Sequence, residues 1–176
     1  MSEGSGMSLN MVAHSYGTTT ASLGLAGEDL HVDSFVSLGS AGIPQSVPTA
    51  DAIHADHVYA GQAQNAIPGL EKGDEWAWRG RDGSGRLNPM DPSFGATTFN
   101  TDGVPGDDSL HGITEHATGK KPTGYGYLDL KTESLNNTAL ATTGHGDNVS
   151  PYQNPGYTDL QKTLIRSMEQ ERSYGY

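Results

Sequence analysis

Cysteine is absent from the 176 residues of this chain. Its absence excludes disulfide bonds, thiol catalysis and cysteine metal ligands, and it leaves the cellular compartment open. No apolar run is long enough to cross a bilayer, and the first residues lack the basic start and apolar core of a signal peptide. We therefore expect a protein of the cytoplasm, or of an assembly made there, with the final location unknown.

Positive charge is scarce. Ten Lys and Arg residues stand against 21 Asp and Glu residues, so the formal net charge is −11. Such an excess of negative charge argues against binding to nucleic acid and to anionic membranes. We interpret it as a contribution to solubility in preference to an acidic binding face. We expect neither nucleic acid nor a membrane among the partners.

Hydrophobic residues are few, at 34% of the chain, whereas glycine and proline are common, at 24 and 9 residues. A length of 176 residues fits one domain, or one domain with appendages. A hydrophobic core can form from this composition, but much of the chain must run as loop. No internal repeat is present.

Short apolar segments alternate with segments that have helical character. Strands are predicted at Leu9–His14, Asp33–Leu38, His57–Gln62 and Ala96–Asn100, and helices at Tyr16–Leu25 (with Gly27 as its cap), Ala50–Ala55, Thr132–Thr143 (with a Thr cap and Gly144 as its stop) and Thr158–Glu171. This alternation indicates an α/β fold with a parallel sheet of about four strands and right-handed crossovers. We divide the chain into a flexible segment 1–8, a domain 9–144, a linker 145–157, and a C-terminal helix and tail 158–176.

Ser15 follows the first predicted strand, with Ala13 two residues before it and Gly17 two residues after it. Small residues at both flanking positions are typical of a nucleophile elbow, in which a strand turns into a helix at a strained serine. The spacing predicts that larger side chains at those positions would collide. A serine in this place also suits an ordinary helix N-cap. As a nucleophile, Ser15 would have the backbone N–H of Tyr16 as one oxyanion donor at the helix N-terminus.

Five blocks carry a resemblance to a known superfamily: AHSYG at 13–17, VDSFVSLGSAG at 32–42, HVYAGQA at 57–63, FGATTF at 94–99 and GYLDLKTESLNNTALATTG at 126–144. In this order they resemble the C-terminal half of an α/β-hydrolase domain, and more closely an actinobacterial hydrolase family of unknown function. The resemblance implies a truncated α/β-hydrolase-like sheet and an esterase-type serine hydrolase that uses no cofactor. It also implies that the strands which normally precede the elbow, and an oxyanion donor with them, are missing.

The resemblance places the general base in the loop after Ala96–Asn100, where His116 ranks before His111. The triad acid usually follows the strand that corresponds to HVYAG, and Asn65 stands near that place. Because an amide cannot stabilise an imidazolium as a carboxylate does, we expect weak or no activity unless Glu71 or Asp74 substitutes. The sharper prediction is that Asn65 occupies the acid position and that neither Glu71 nor Asp74 reaches His116. His14, beside the serine, is expected to point away from it and to be structural.

Alternatives to an active enzyme follow from the same features. A truncated sheet would expose the flank of its first strand, so an oligomer or a partner chain is expected there. The fold could then serve as a structural or interaction component of an assembly such as a virus particle, or another chain could supply the missing strands. Two clusters, His54–Asp56–His57 and His111–Glu115–His116, make metal binding a lesser alternative, and we predict no metal site.

Overall fold

The computed structural model describes residues 8–27, 30–64, 74, 85–119 and 124–153. Its elements are, in chain order, β1 (Asn10–His14), α1 (Tyr16–Gly27), β2 (Val32–Leu38), β3 (Ala55–Gly61), β4 (Thr97–Phe99) and α2 (Glu133–Thr142). Single 3-10 turns lie at Ala50–Ala52, Pro92–Phe94 and Gly146–Asn148. Of the helices in these ranges, none has the length and apolar character that a membrane span requires.

The four strands form one parallel sheet in the order β1-β2-β3-β4. This arrangement confirms the predicted α/β class and the predicted number of strands. The last residues of the strands pair across the sheet, with His14 opposite Leu38, Leu38 opposite Gly61, and Gly61 opposite Phe99. The loops that follow the strands therefore leave from the same edge, where residues distant in sequence can meet.

Hydrophobic side chains pack on both faces of the sheet. Because side chains alternate along a strand, Phe35 of β2 points to the α1 face, where it packs with Leu25 and Ile43. Val36 and Leu38 point to the opposite face, beneath α2 and Tyr127. β2 is buried on both faces, as the inner strand of a parallel sheet must be.

The threonines of α1 hold it to the sheet, which offsets their poor helix propensity. The Thr18 hydroxyl donates to the Ser15 carbonyl at 2.7 Å, and the Thr19 hydroxyl donates to the Gly42 carbonyl at 2.7 Å. Both threonines are buried. The prediction that Gly27 caps the helix is wrong, because Gly27 lies within α1 and is not among the glycines with positive φ.

Thr132 caps α2 as predicted, because its hydroxyl accepts the N–H of Leu135 at 3.1 Å, and Gly144 follows the helix with φ of 77°. The helix predicted at Ala50–Ala55 is only a 3-10 turn, since β3 begins at Ala55. The C-terminal helix predicted at Thr158–Glu171 lies outside the described residues. The predicted domain boundaries stay predictions.

Candidate active site

Ser15 lies between the end of β1 and the start of α1, with φ of 55°. A non-glycine residue in this left-handed region costs on the order of 1–3 kcal/mol and persists only where its surroundings enforce it. The strained turn agrees with the elbow spacing. The collision predicted for a larger side chain at Gly17 does not occur, because a Cβ there would meet no described atom within 4 Å.

Hydrogen bonds with the end of β2 and with the loop after it hold the strained serine. The Ser15 N–H donates to the Leu38 carbonyl at 3.0 Å, and the Ser15 carbonyl accepts the N–H of Ala41 at 3.2 Å. The Thr18 hydroxyl, which also donates to that carbonyl, lies 2.7 Å from the Ser40 hydroxyl. The backbone of Ser15 is thus fixed by the segment that follows the neighbouring strand.

Three side chains from distant parts of the chain form a continuous hydrogen-bonded series. Ser15 Oγ lies 2.7 Å from His116 Nε2, across 101 positions of sequence. His116 Nδ1 lies 2.7 Å from Asp74 Oδ2 and 2.6 Å from Asp74 Oδ1, with hydrogen-bond geometry to Oδ2. The carboxylate accepts the Nδ1 proton, so Nε2 is left to accept the serine proton. The His116 side chain is 23% exposed and that of Asp74 is 0% exposed, so solvent reaches the imidazole but not the carboxylate.

The prediction that Asp74 does not reach His116 is therefore wrong. The other two residues considered for the acid, Asn65 and Glu71, lie outside the described residues. The backbone of Asp74 is joined to the end of β3, because its N–H donates to the Ala63 carbonyl at 3.0 Å and its carbonyl accepts the Gln62 side-chain amide at 3.3 Å. These bonds place the carboxylate beside the histidine.

Tyr127 is a site residue that sequence reasoning missed. Its hydroxyl donates to Asp74 Oδ2 at 2.7 Å and accepts the N–H of Ala63 at 3.0 Å. Burial, followed by the negative charge of Asp74, raises the pKa of Tyr127 well above its ordinary value. The phenol therefore stays protonated and remains a donor to the carboxylate.

Gly39, the first residue after β2, makes room for this acid. Its φ is 48°, and a Cβ at this position would lie 2.6 Å from Asp74 Oδ2 and 3.0 Å from the Tyr127 ring. Any side chain would therefore displace the carboxylate or the phenol. The glycine was visible in the sequence as part of LGSAG, but its close neighbours were not.

The loop that carries His116 is paired with the segment that carries Tyr127. The Thr114 and Glu115 N–H groups both donate to the Tyr125 carbonyl, at 3.0 and 3.1 Å, and the Tyr127 N–H donates to the Ala117 carbonyl at 2.8 Å. His116 and Tyr127 are consequently positioned by one local unit, and both reach the same carboxylate.

The ring of His14 lies against two residues of the site, and its predicted direction away from Ser15 stays a prediction. Its ring centroid lies 4.7 Å from that of His116 and 5.3 Å from that of Tyr127. Burial, and then the charge of His116, lower the pKa of His14 from 6.5 to about 4, against a smaller raising effect of Asp74. His14 is therefore neutral near pH 7 and does not repel a protonated His116.

Tyr16 is the first residue of α1, so its N–H is one of the N-terminal donors that have no carbonyl partner within the helix. Positive potential at this helix end favours an anion. The Tyr16 side chain is exposed, and the Arg86 guanidinium lies 4.9 Å from its ring centroid. The role of the Tyr16 N–H as an oxyanion donor stays a prediction.

The histidine that hydrogen-bonds to Ser15 is His116 and not His111, so the prediction of His111 as the second candidate base is not supported. Its ring stacks on Tyr125 at 4.5 Å, and its N–H donates to the Lys131 carbonyl at 2.7 Å. His111 therefore pairs with the residues that directly precede and begin α2. Within the described ranges, no group of three or more His, Asp or Glu residues is placed to hold a metal ion.

Comparison with known families gives one match. The alpha/beta hydrolase family model matches residues 1–68, which include β1, α1, β2 and β3 together with Ser15. Neither the curated proteins nor the solved structures gave a match. The family match supports the resemblance to the α/β-hydrolase superfamily, whereas the closer likeness to an actinobacterial branch stays a prediction.

Proposed function

Starting from an alpha/beta-hydrolase-like domain, we propose that this chain is an esterase-type serine hydrolase. The proposal is supported above all by the series Ser15–His116–Asp74, in which both hydrogen bonds are 2.7 Å long. These residues follow β1, β4 and β3 in the sequence, and the parallel sheet brings the ends of those strands to one edge.

The proposed reaction is acyl transfer through the serine. Ser15 Oγ attacks the ester carbonyl while His116 Nε2 takes its proton, and Asp74 stabilises the imidazolium that forms. The Tyr16 N–H donates to the carbonyl oxygen as it becomes negative. His116 then returns the proton to the leaving alcohol, and the acyl-enzyme is hydrolysed by a water that His116 activates in the same way.

The buried carboxylate changes the expected level of activity. An amide in place of the triad acid would lower turnover about 10⁴-fold, and Asp74 removes this reason for inactivity. The oxyanion side is the weaker part among the described residues, because the Tyr16 N–H is the single donor proposed there and one donor fewer lowers turnover on the order of 10²–10³-fold. We therefore expect measurable but modest hydrolysis of activated esters.

Hydrolysis of aryl esters of short acids tests the proposal, with product release followed spectroscopically. Ser15→Ala should reduce hydrolysis to the background rate, and Asp74→Asn should reduce it about 10⁴-fold. Ser93→Ala is the matched control, because Ser93 is an exposed serine whose hydroxyl donates to Asp91. Equal rates for the wild-type chain and Ser15→Ala would refute the proposal.

A second candidate function is a structural component that associates through β1, as in a virus particle. Among the described residues β1 pairs only with β2, and Leu9 and Val12 are 50% and 40% exposed. β1 carries no Asp, Glu, Lys or Arg, so two copies can pair without repulsion between formal charges. We propose a second copy of the chain as the occupant of this edge. Light scattering tests it: Val12→Lys should convert an oligomer to a monomer, and a monomeric wild-type chain would contradict it.

A further inference from the structure

We infer that Tyr127 is a positioning residue that fixes the carboxylate of Asp74 for the proposed reaction. The inference rests on the proposed hydrolase function and adds to it a residue outside the triad. Tyr127 does not contact the Ser15 hydroxyl in any hydrogen bond of the structure, so its effect must pass through Asp74 and His116.

Both hydrogen-bonding capacities of the phenol are used in a fixed direction. The N–H of Ala63 can only donate, and it lies 3.0 Å from the Tyr127 oxygen. The hydroxyl proton is therefore directed to Asp74 Oδ2, at 2.7 Å. Because Tyr127 and Asp74 are both 0% exposed, water does not compete for this bond.

The bond matters because the carboxylate has two oxygens at similar distances from the histidine. His116 Nδ1 lies 2.7 Å from Oδ2 and 2.6 Å from Oδ1, and among the described residues Oδ1 has no hydrogen bond of good geometry. These distances alone do not select one oxygen for the Nδ1 proton, whereas a second donor that holds one oxygen does. Tyr127 supplies that donor and so sets the orientation of the imidazole.

Tyr127 also connects three segments whose relative positions set the geometry of the site, namely those of Ala63, Asp74 and Ala117. Its hydroxyl contacts the Ala63 amide after β3 and the Asp74 side chain, and its own N–H donates to the Ala117 carbonyl beside His116. Its ring packs in the core with Leu38 and Phe99. The ring and the hydroxyl thus have separable roles, and Tyr127→Phe removes the hydroxyl alone.

Tyr127→Phe should lower kcat for an aryl ester about 10- to 100-fold, the effect of losing one hydrogen bond to a buried charge, and leave KM unchanged. The rate of fluorophosphonate labelling should fall by a similar factor. Tyr59→Phe is the matched control: Tyr59 is also buried on this face, but its hydroxyl adjoins Gly146 and not the triad. Its kcat should equal that of the wild-type chain.

A double-mutant cycle separates positioning from general packing. If Tyr127 acts through Asp74, then Tyr127→Phe should change kcat less than about threefold in an Asp74→Ala background. An equal loss in both backgrounds, or an unchanged kcat for Tyr127→Phe alone, would overturn the inference. The proposed function fails separately, by a wild-type rate that Ser15→Ala does not reduce.

Discussion

The neutral His14 beside His116 predicts a specific loss of stability in mild acid. Its pKa in the folded protein is lowered from 6.5 to about 4. In the unfolded chain His14 takes up a proton as the pH falls through about 6.5, whereas the folded protein takes it up only near pH 4. The stabilising contribution is therefore fully present above about pH 6.5 and is lost progressively between that value and about pH 4.

The size of this effect follows from the shift. One pKa unit corresponds to about 1.4 kcal/mol, so the shift sets an upper limit of roughly 3 kcal/mol. The His14 side chain is only partly buried, although its Nε2 is fully buried, and solvent screening reduces the expected effect to about 1–2 kcal/mol. Burial of the ring is its main cause, and the charge of His116 is the second.

Urea unfolding of the wild-type chain and of His14→Leu, followed by circular dichroism, measures this contribution. The difference in free energy of unfolding between the two proteins should change by about 1–2 kcal/mol between about pH 7.5 and pH 4.5, with the wild-type chain losing more. His54→Leu, which removes an exposed histidine elsewhere, is the control. A difference between wild type and His14→Leu that is constant over this range would show that folding does not lower the pKa of His14.

Three further substitutions test the packing that supports the site. Gly39→Ala should abolish most ester hydrolysis, because its Cβ would press on the Asp74 carboxylate, and it should lower the free energy of unfolding by about 1–3 kcal/mol because alanine is strained at this positive φ. Wild-type turnover in this variant would contradict the close contact between position 39 and Asp74. Gly61→Ala should also cost about 1–3 kcal/mol in urea unfolding, since its Cβ would overlap the Phe99 ring, and unchanged stability would mean that the ring can move. Thr132→Ala should lower the free energy of unfolding by about 1 kcal/mol through loss of the cap on α2, and a neutral result would show that the Leu135 N–H finds another acceptor.

Local sequence pattern was enough to predict the sheet and the elbow. Short apolar strands alternating with helical segments lead to parallel pairing, and the small residues around Ser15 indicated the turn, although Gly17 is not sterically required. The loop after β4 contains both His111 and His116, and His116 could be ranked first because its block resembles the histidine loop of the α/β-hydrolase superfamily better.

The acid could not be predicted in the same way. Asp74 lies in a loop, and its role depends on Ala63, Gly39 and Tyr127, which are distant in sequence and leave no local pattern. The position directly after the strand, where the triad acid usually lies, is near Asn65, and Asp74 lies nine residues further along the chain. The environment of His14 was equally hidden, because it depends on the loop that brings His116 against its ring.

Mapping of a fluorophosphonate adduct asks whether Ser15 is an activated nucleophile, because the probe reacts with a serine only where a base activates it. After proteolysis and mass spectrometry, we expect one adduct, on Ser15, which is lost in His116→Ala although the serine is still present. The Ser93→Ala control should be labelled like the wild-type chain. An unlabelled wild-type chain, or an adduct on Ser15 that persists without His116, would contradict the claim that these residues form a working catalytic series.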